Sequence, residues 1–186
     1  MARNIRWRVF SAVLVIVVFA TVGSCNWAFG PFNHMTIDGQ RYSLDKLYEN
    51  RWTTTDEGLR IVGLHFVTRG ITETEWGYEG SGDSLGVTLF SDSWDLEGGT
   101  YRYEPDADRS AFQIWGASAT IGRDYDYGGY DERYTIISGQ IVLQNLLVDG
   151  YIVEFDFEAR EGVNPDPDAR TVTITGRYRG RVTERF

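Results

Sequence analysis

Tyr151, Val153, Phe155 and Phe157 alternate with Ile152, Glu154, Asp156 and Glu158. A period of two is the signature of a strand with one wet face, because successive side chains point to opposite sides of a sheet. Val172, Ile174, Gly176, Tyr178, Gly180 and Val182 alternate in the same way with Thr173, Thr175, Arg177, Arg179, Arg181 and Thr183. Leu85, Val87 and Leu89, and then Phe112 and Ile114, repeat the pattern more briefly. Turn signals separate these runs: Asp38-Gly39, Glu97-Gly98-Gly99, Tyr127-Gly128-Gly129, Asp149-Gly150 and Asn164-Pro165-Asp166-Pro167. The punctuation predicts strands near 35–38, 41–44, 59–68, 71–78, 84–91, 99–104, 110–122, 133–145, 150–160 and 170–183. About ten short strands with hairpin-length gaps make an all-β chain, an antiparallel β-sandwich or a closed β-barrel. Residues 59 to 67 are apolar on both faces and are placed centrally. One helix is predicted, a turn or two from Ser43 to Tyr48 with Ser43 as N-cap. The 21 glycines against four prolines suit a strongly twisted or closed sheet, in which inward glycines such as Gly176 and Gly180 relieve crowding.

The first 25 residues carry a different message. Arg3, Arg6 and Arg8 precede an uncharged apolar run from Val9 to Val22, which ends in Gly23-Ser24-Cys25. A basic start, an apolar middle and a small-residue exit make a secretory signal peptide. A cysteine directly after the small residues resembles the lipobox of bacterial lipoproteins. That resemblance implies acylation of the Cys25 thiol, palmitate-type chains, and Cys25 as the first residue of the mature protein. Residues 1–24 are then the signal peptide, 25–34 a lipidated N-terminus with a short linker, and 35–186 a single all-β domain. Two other readings of the segment stay open, an uncleaved anchor helix and a cysteine placed there by chance. Trp27, Phe29 and Phe32 in the linker either sit at the membrane interface or pack beneath the domain.

Cys25 is the only cysteine, so no disulfide is expected and stability has to come from packing. The signal takes three of the 18 basic residues, which leaves the 27 acidic residues a surplus of about 12 in the mature chain. Binding to nucleic acid begins with a basic surface, so this charge argues against a nucleic-acid partner.

A second resemblance spans residues 34 to 183. Gly80-Ser81-Gly82-Asp83 before a strand, Gly99-Thr100-Tyr101, Ser138-Gly139-Gln140-Ile141-Val142, Tyr151-Ile152-Val153-Glu154-Phe155 and Ile174-Thr175-Gly176-Arg177-Tyr178 follow one another in that order. Together they resemble small all-β lipoproteins of the Bacteroidetes type. The resemblance implies a β-sandwich or barrel carried on the outer membrane, with the periplasmic and the surface face both open, and it implies no activity.

Candidate chemistry is sparse. With two histidines, His34 and His65, and the thiol committed to lipid, no zinc set of His and Cys can be assembled. His65 reads as a satisfied imidazole in a two-sided apolar strand. No Gly-x-Ser-x-Gly elbow and no glycine-rich phosphate loop leading into a helix is present. Glu154, Asp156 and Glu158 share one strand face with neighbours ~7 Å apart, a spacing within the range of inverting glycosidases. An alternating acidic face is also what any solvated strand looks like. The loop Asp124-Tyr125-Asp126-Tyr127-Gly128-Gly129-Tyr130-Asp131 sets carboxylates at alternate positions, which hard cations favour, so Asp124, Asp126 and Asp131 are candidate calcium ligands. Tyr125, Tyr127 and Tyr130 in the same loop, with Trp94, are candidate ligand-stacking rings.

These observations predict a non-enzymatic, lipid-anchored cell-envelope protein, a binding or structural component that meets the membrane through Cys25 and a glycan or envelope protein through its domain. The alternatives are a carbohydrate-binding lipoprotein, with or without calcium, and a glycan-cleaving hydrolase that uses strand carboxylates such as Glu154.

Overall fold

The described residues form twelve strands: β1 (His34–Ile37), β2 (Gln40–Ser43), β3 (Lys46–Thr54), β4 (Arg60–Val67), β5 (Ile71–Thr74), β6 (Gly77–Ser91), β7 (Gly99–Tyr103), β8 (Gln113–Asp124), β9 (Glu132–Asn145), β10 (Gly150–Glu161), β11 (Thr171–Arg181) and β12 (Glu184–Arg185). The computed structural model describes residues 32 to 185 apart from Trp76, Asp106, Ala107 and Val148. Cys25 and the segment expected as a signal peptide lie outside the described residues. Residues 33 to 186 form one compact unit. The described residues are all-β, without a helix.

The strands form one sheet in the order β12-β3-β4-β6-β8-β7-β9-β10-β11-β1-β2, with β5 paired to β6 and β8 also paired to β9. Pairing is antiparallel except for β12 with β3 and β7 with β8. β12 opens this order, yet in the chain it follows β11 after Val182 and Thr183. The sheet therefore curls into a barrel-like form and is stitched to itself at a short seam. Glu184 and Arg185 pair with Tyr48 and Glu49 there, and the Thr183 N–H donates to the Leu47 carbonyl at 2.7 Å.

The inner face of this curl is the main core. Tyr151, Val153, Phe155 and Phe157 of β10 and Val172, Ile174 and Tyr178 of β11 point into it, as their alternation predicts, and Glu154, Asp156 and Glu158 point outward. Gly176 faces the core at a point where a Cβ would strike the Phe155 ring and the His34 carbonyl, so only glycine fits. Phe66 of β4 reaches across to Tyr178, with ring centroids 5.3 Å apart. The Asp38-Gly39 turn joins β1 to β2 with φ of 47° and 86°, left-handed at both positions as a tight hairpin of type I′ demands.

The helix expected over residues 43 to 48 is instead the end of β2 at Ser43, a two-residue link and the start of β3 at Lys46. Its Leu-Asp-Lys-Leu spacing suits a helix, but Leu47 packs into the main core and Tyr48 into a separate cluster on the opposite face. Only an extended chain sends adjacent residues to opposite faces, and burial on both sides overrides local propensity. The Ser43 hydroxyl bonds the Asp45 carboxylate at 3.3 Å, a local turn contact. The run expected as one strand over 71–78 is two, β5 and the start of β6.

Candidate functional site

The outer face of β3, β4, β6, β8 and β9 carries a second layer of side chains, set by the register. One cross-strand row is Tyr48, His65, Gly86, Ser118 and Thr135. The next row toward one end is Asn50, Gly63, Thr88 and Gly116. Toward the other end lie Val67, Ser84, Thr120 and Arg133. Gly63, Gly86 and Gly116 thus fall in the middle of three neighbouring strands and open a trough of about 430 Å³. Clefts that take small ligands span about 300–1,000 Å³.

Two small outer clusters bound this face. At one end Tyr48, Val67 and Ile71 pack with Tyr78 and Tyr125. The β5–β6 hairpin brings Tyr78, and the β8–β9 loop brings Tyr125. At the other end Leu59, Ile61 and Phe90 pack together, with Trp115 tilted over Phe90 at 5.9 Å. One wall of the trough is Trp52, displaced by a bulge between Arg51 and Thr53 and lying over Gly63, its indole 3.1 Å from where a Cβ would stand. Trp52 is 55% exposed, so the ring offers itself to solvent. Arg133, Thr135 and Val163 line the opposite wall.

The polar groups of the trough have unused hydrogen-bonding capacity. Asn50 Nδ2 donates to the Tyr78 hydroxyl at 3.0 Å, but Asn50 Oδ1 is buried without a partner. His65 lies edge-on to Tyr78, with ring centroids 4.2 Å apart, and its Nε2 is 3.4 Å from the Tyr125 hydroxyl, whereas Nδ1 is buried and unpartnered. Burial pulls the His65 pKa down to about 4, so the ring is neutral at ordinary pH. Arg133 Nε is likewise buried without a partner. Glu73, on the covering hairpin beside Tyr78 and Asn50, is held above the usual carboxylate range, chiefly by burial. Burial also raises Tyr125, opposed by a bond from Ser84 and by the Arg123 and Arg133 charges.

The residues singled out in the sequence are divided among several places. Tyr125 is partly buried at the rim of the trough. Tyr127 is 91% exposed and Tyr130 42%. Arg123 sits between two of these rings, 4.9 Å from the Tyr125 centroid and 5.8 Å from that of Tyr130. Trp94 packs against the main core with Arg60 over its ring at 5.3 Å, and among the described residues it shares no ring contact with the tyrosines. Asp124 Oδ1 accepts from the backbone N–H groups of Asp126 and Tyr127, and Asp126 Oδ1 from that of Gly80. Asp131 packs its carboxylate against Gly122. Among the described residues no three His, Cys, Asp or Glu side chains converge as a metal site. Glu154 is ion-paired with Arg177, and Glu158 accepts from the Ser138 hydroxyl at 2.9 Å.

Sequence reasoning missed Asn50, Trp52 and Arg133. Reading residues 43 to 48 as a helix hid β3, and with it the first two. The signal that marks the trough is a glycine at an outward position on each of three neighbouring strands, visible only once the register is known. Comparison with protein-family models, with curated proteins and with solved structures finds no match.

Proposed function

We propose that this chain is a lipid-anchored, non-enzymatic binding protein of the cell envelope, and that the outer trough takes a saccharide. One observation carries the reading: Asn50 Oδ1, His65 Nδ1 and Arg133 Nε, all on residues that line the same trough, lack partners within the protein. Buried polar groups are nearly always satisfied, so three exceptions around one trough call for partners from outside. A sugar ring supplies what the walls lack. Its hydroxyls donate and accept, and its apolar face suits the exposed indole of Trp52 and the flat glycine backbone beside it. The N-terminal Cys25 signature supports placement at a membrane, with the domain held close by the short linker.

The test is a glycan-array screen of the full-length chain in neutral detergent, followed by titration of hits. Trp52→Ala is expected to weaken any hit at least tenfold while leaving the melting temperature within a few degrees. A hit that Trp52→Ala leaves intact, or a screen in which no saccharide binds, overturns the reading. Acylation is tested separately, by the mass of the mature N-terminus and its loss in Cys25→Ala.

A further inference from the structure

At the Tyr125 end the trough deepens into a smaller pocket of about 160 Å³, which shares His65, Gly86, Ser118 and Arg133 with it. Two arginines and four hydroxyl side chains line this pocket: Arg123, Arg133, Ser84, Ser118, Thr120 and Tyr125. No carboxylate does, in a chain with 27 acidic residues against 18 basic ones. The register explains the convergence. Ser84, Thr120 and Arg133 are direct cross-strand partners on β6, β8 and β9, and Ser118 lies on the same face one row away. Arg123 follows Gly122, whose φ of 61° accompanies a slip in the β6–β8 register after Gly82. That irregularity lets Arg123 lie against the Tyr125 and Tyr130 rings.

Neither arginine belongs to an ion pair among the described residues, whereas Arg51, Arg170 and Arg177 each do. The acids closest in the chain are engaged elsewhere. Asp83 accepts from the Gly122 N–H, Asp124 and Asp126 accept from backbone, and Glu132 takes the Tyr134 hydroxyl. Arg133 Nε is buried and unpartnered at the border of the two cavities. Arg133 is half-buried with its Nε donor unused, and an oxyanion offers the planar, bidentate acceptor that a guanidinium matches. The hydroxyls of Ser118 and Thr120 supply further donors at the same place.

We infer that this pocket is an anion subsite of the trough, and that the ligand is an acidic saccharide whose carboxylate, sulfate or phosphate group sits between Arg123 and Arg133. The inference rests on the saccharide reading of the trough. It also assigns the β8–β9 tyrosines a task, since Tyr125 and Tyr130 hold Arg123 in place and need not stack on the ligand themselves.

The experiment compares, on the full-length chain in neutral detergent, a uronic acid trisaccharide, a sulfated trisaccharide and the neutral parent of the same linkage. At least one acidic form is expected to bind ten times more tightly than the neutral parent, and which one does so identifies the anion. R123Q, which leaves the trough wall intact, is expected to remove that preference and to change neutral-sugar affinity less than threefold; R133Q, which also alters the trough wall, is expected to remove the preference and to weaken the neutral sugar as well. Equal binding of acidic and neutral forms, or a preference that survives both variants, overturns the anion subsite and leaves the saccharide trough standing. If no saccharide binds but inorganic sulfate or phosphate does, and R133Q abolishes it, the anion pocket is upheld and the saccharide reading falls. If no saccharide and neither inorganic anion binds, both fall.

Discussion

Tyr151 on β10 donates its hydroxyl hydrogen to Glu49 Oε2 on β3 at 2.8 Å, joining two residues 102 positions apart across the interior of the curl. Glu49 is fully buried, and its other oxygen accepts from Arg51 Nε at 3.1 Å. Arg51 in turn reaches Asp95 at 2.9 Å. A carboxylate at this depth is tolerated because its oxygens are satisfied, so removing a donor costs more than the bond itself. Tyr151→Phe is expected to lower unfolding stability by about 1.5–3 kcal/mol, the usual range for a hydrogen bond to a charged group. Urea denaturation measures it, and a change under about 0.5 kcal/mol would mean that this contact does not hold β10 to β3.

Gly116 separates stability from binding. A Cβ built there meets nothing within 4 Å and its φ is ordinary, so a side chain would project into the open trough. Glycine weakens a strand and valine strengthens it, so Gly116→Val is expected to leave stability unchanged or to raise it by up to about 1 kcal/mol. The same change fills the trough and is expected to abolish ligand binding. Gly86→Val should behave alike, since its Cβ would meet only ordinary contacts at 3.7 Å and 4.0 Å. Thermal melts beside ligand titration check both halves. A valine variant that binds normally would move the site elsewhere.

His65 sets a pH window. Burial lowers its pKa from 6.5 to about 4. Between these values the unfolded chain binds a proton that the folded chain does not, so stability rises with pH through this range and is lost as pH falls from 6.5 toward 4. The full shift corresponds to about 3 kcal/mol. His65→Gln removes the titration, and its melting temperature should fall less than that of the parent between pH 7 and pH 5. Parallel curves for the two proteins would place the acid sensitivity in other groups.

The alternation of residues 151–158 and 172–183 reads directly as β10 and β11, inward and outward faces included, because one side of each strand packs on the core and the other meets water. β3 was not legible. Leu47 and Tyr48 are adjacent and both buried, so neither a period of two nor the true register shows in the residues alone. The outer layer is hidden for the same reason: β4 and its neighbours are covered on both faces in part, and a strand covered twice loses its alternation. The Tyr125 loop was legible as a concentration of rings and acids, but not the inward turn of Tyr125 onto His65. That depends on which strand lies beneath it.

Calcium has a direct readout in that loop. Asp124 and Asp126 already cap backbone N–H groups of their own loop and of Gly80. Millimolar calcium is therefore expected to leave the melting temperature unchanged, and chelator likewise. A saturable rise with calcium, lost in Asp131→Ala, would show that the three carboxylates regroup around an ion.

The seam between β12 and β3 bears on how the chain reaches its native state. β3 forms early in the sequence, yet its outer edge finds its partner only at Glu184 and Arg185. Contacts so distant in the chain slow folding, and sheets dominated by them typically form in milliseconds to seconds. Until the last strand arrives, the edge of β3 presents open amide and carbonyl groups able to pair with another molecule. A chain whose last strand has not yet docked is therefore vulnerable to self-association, and a holdase that covers β3 in that interval would raise the yield of folded protein.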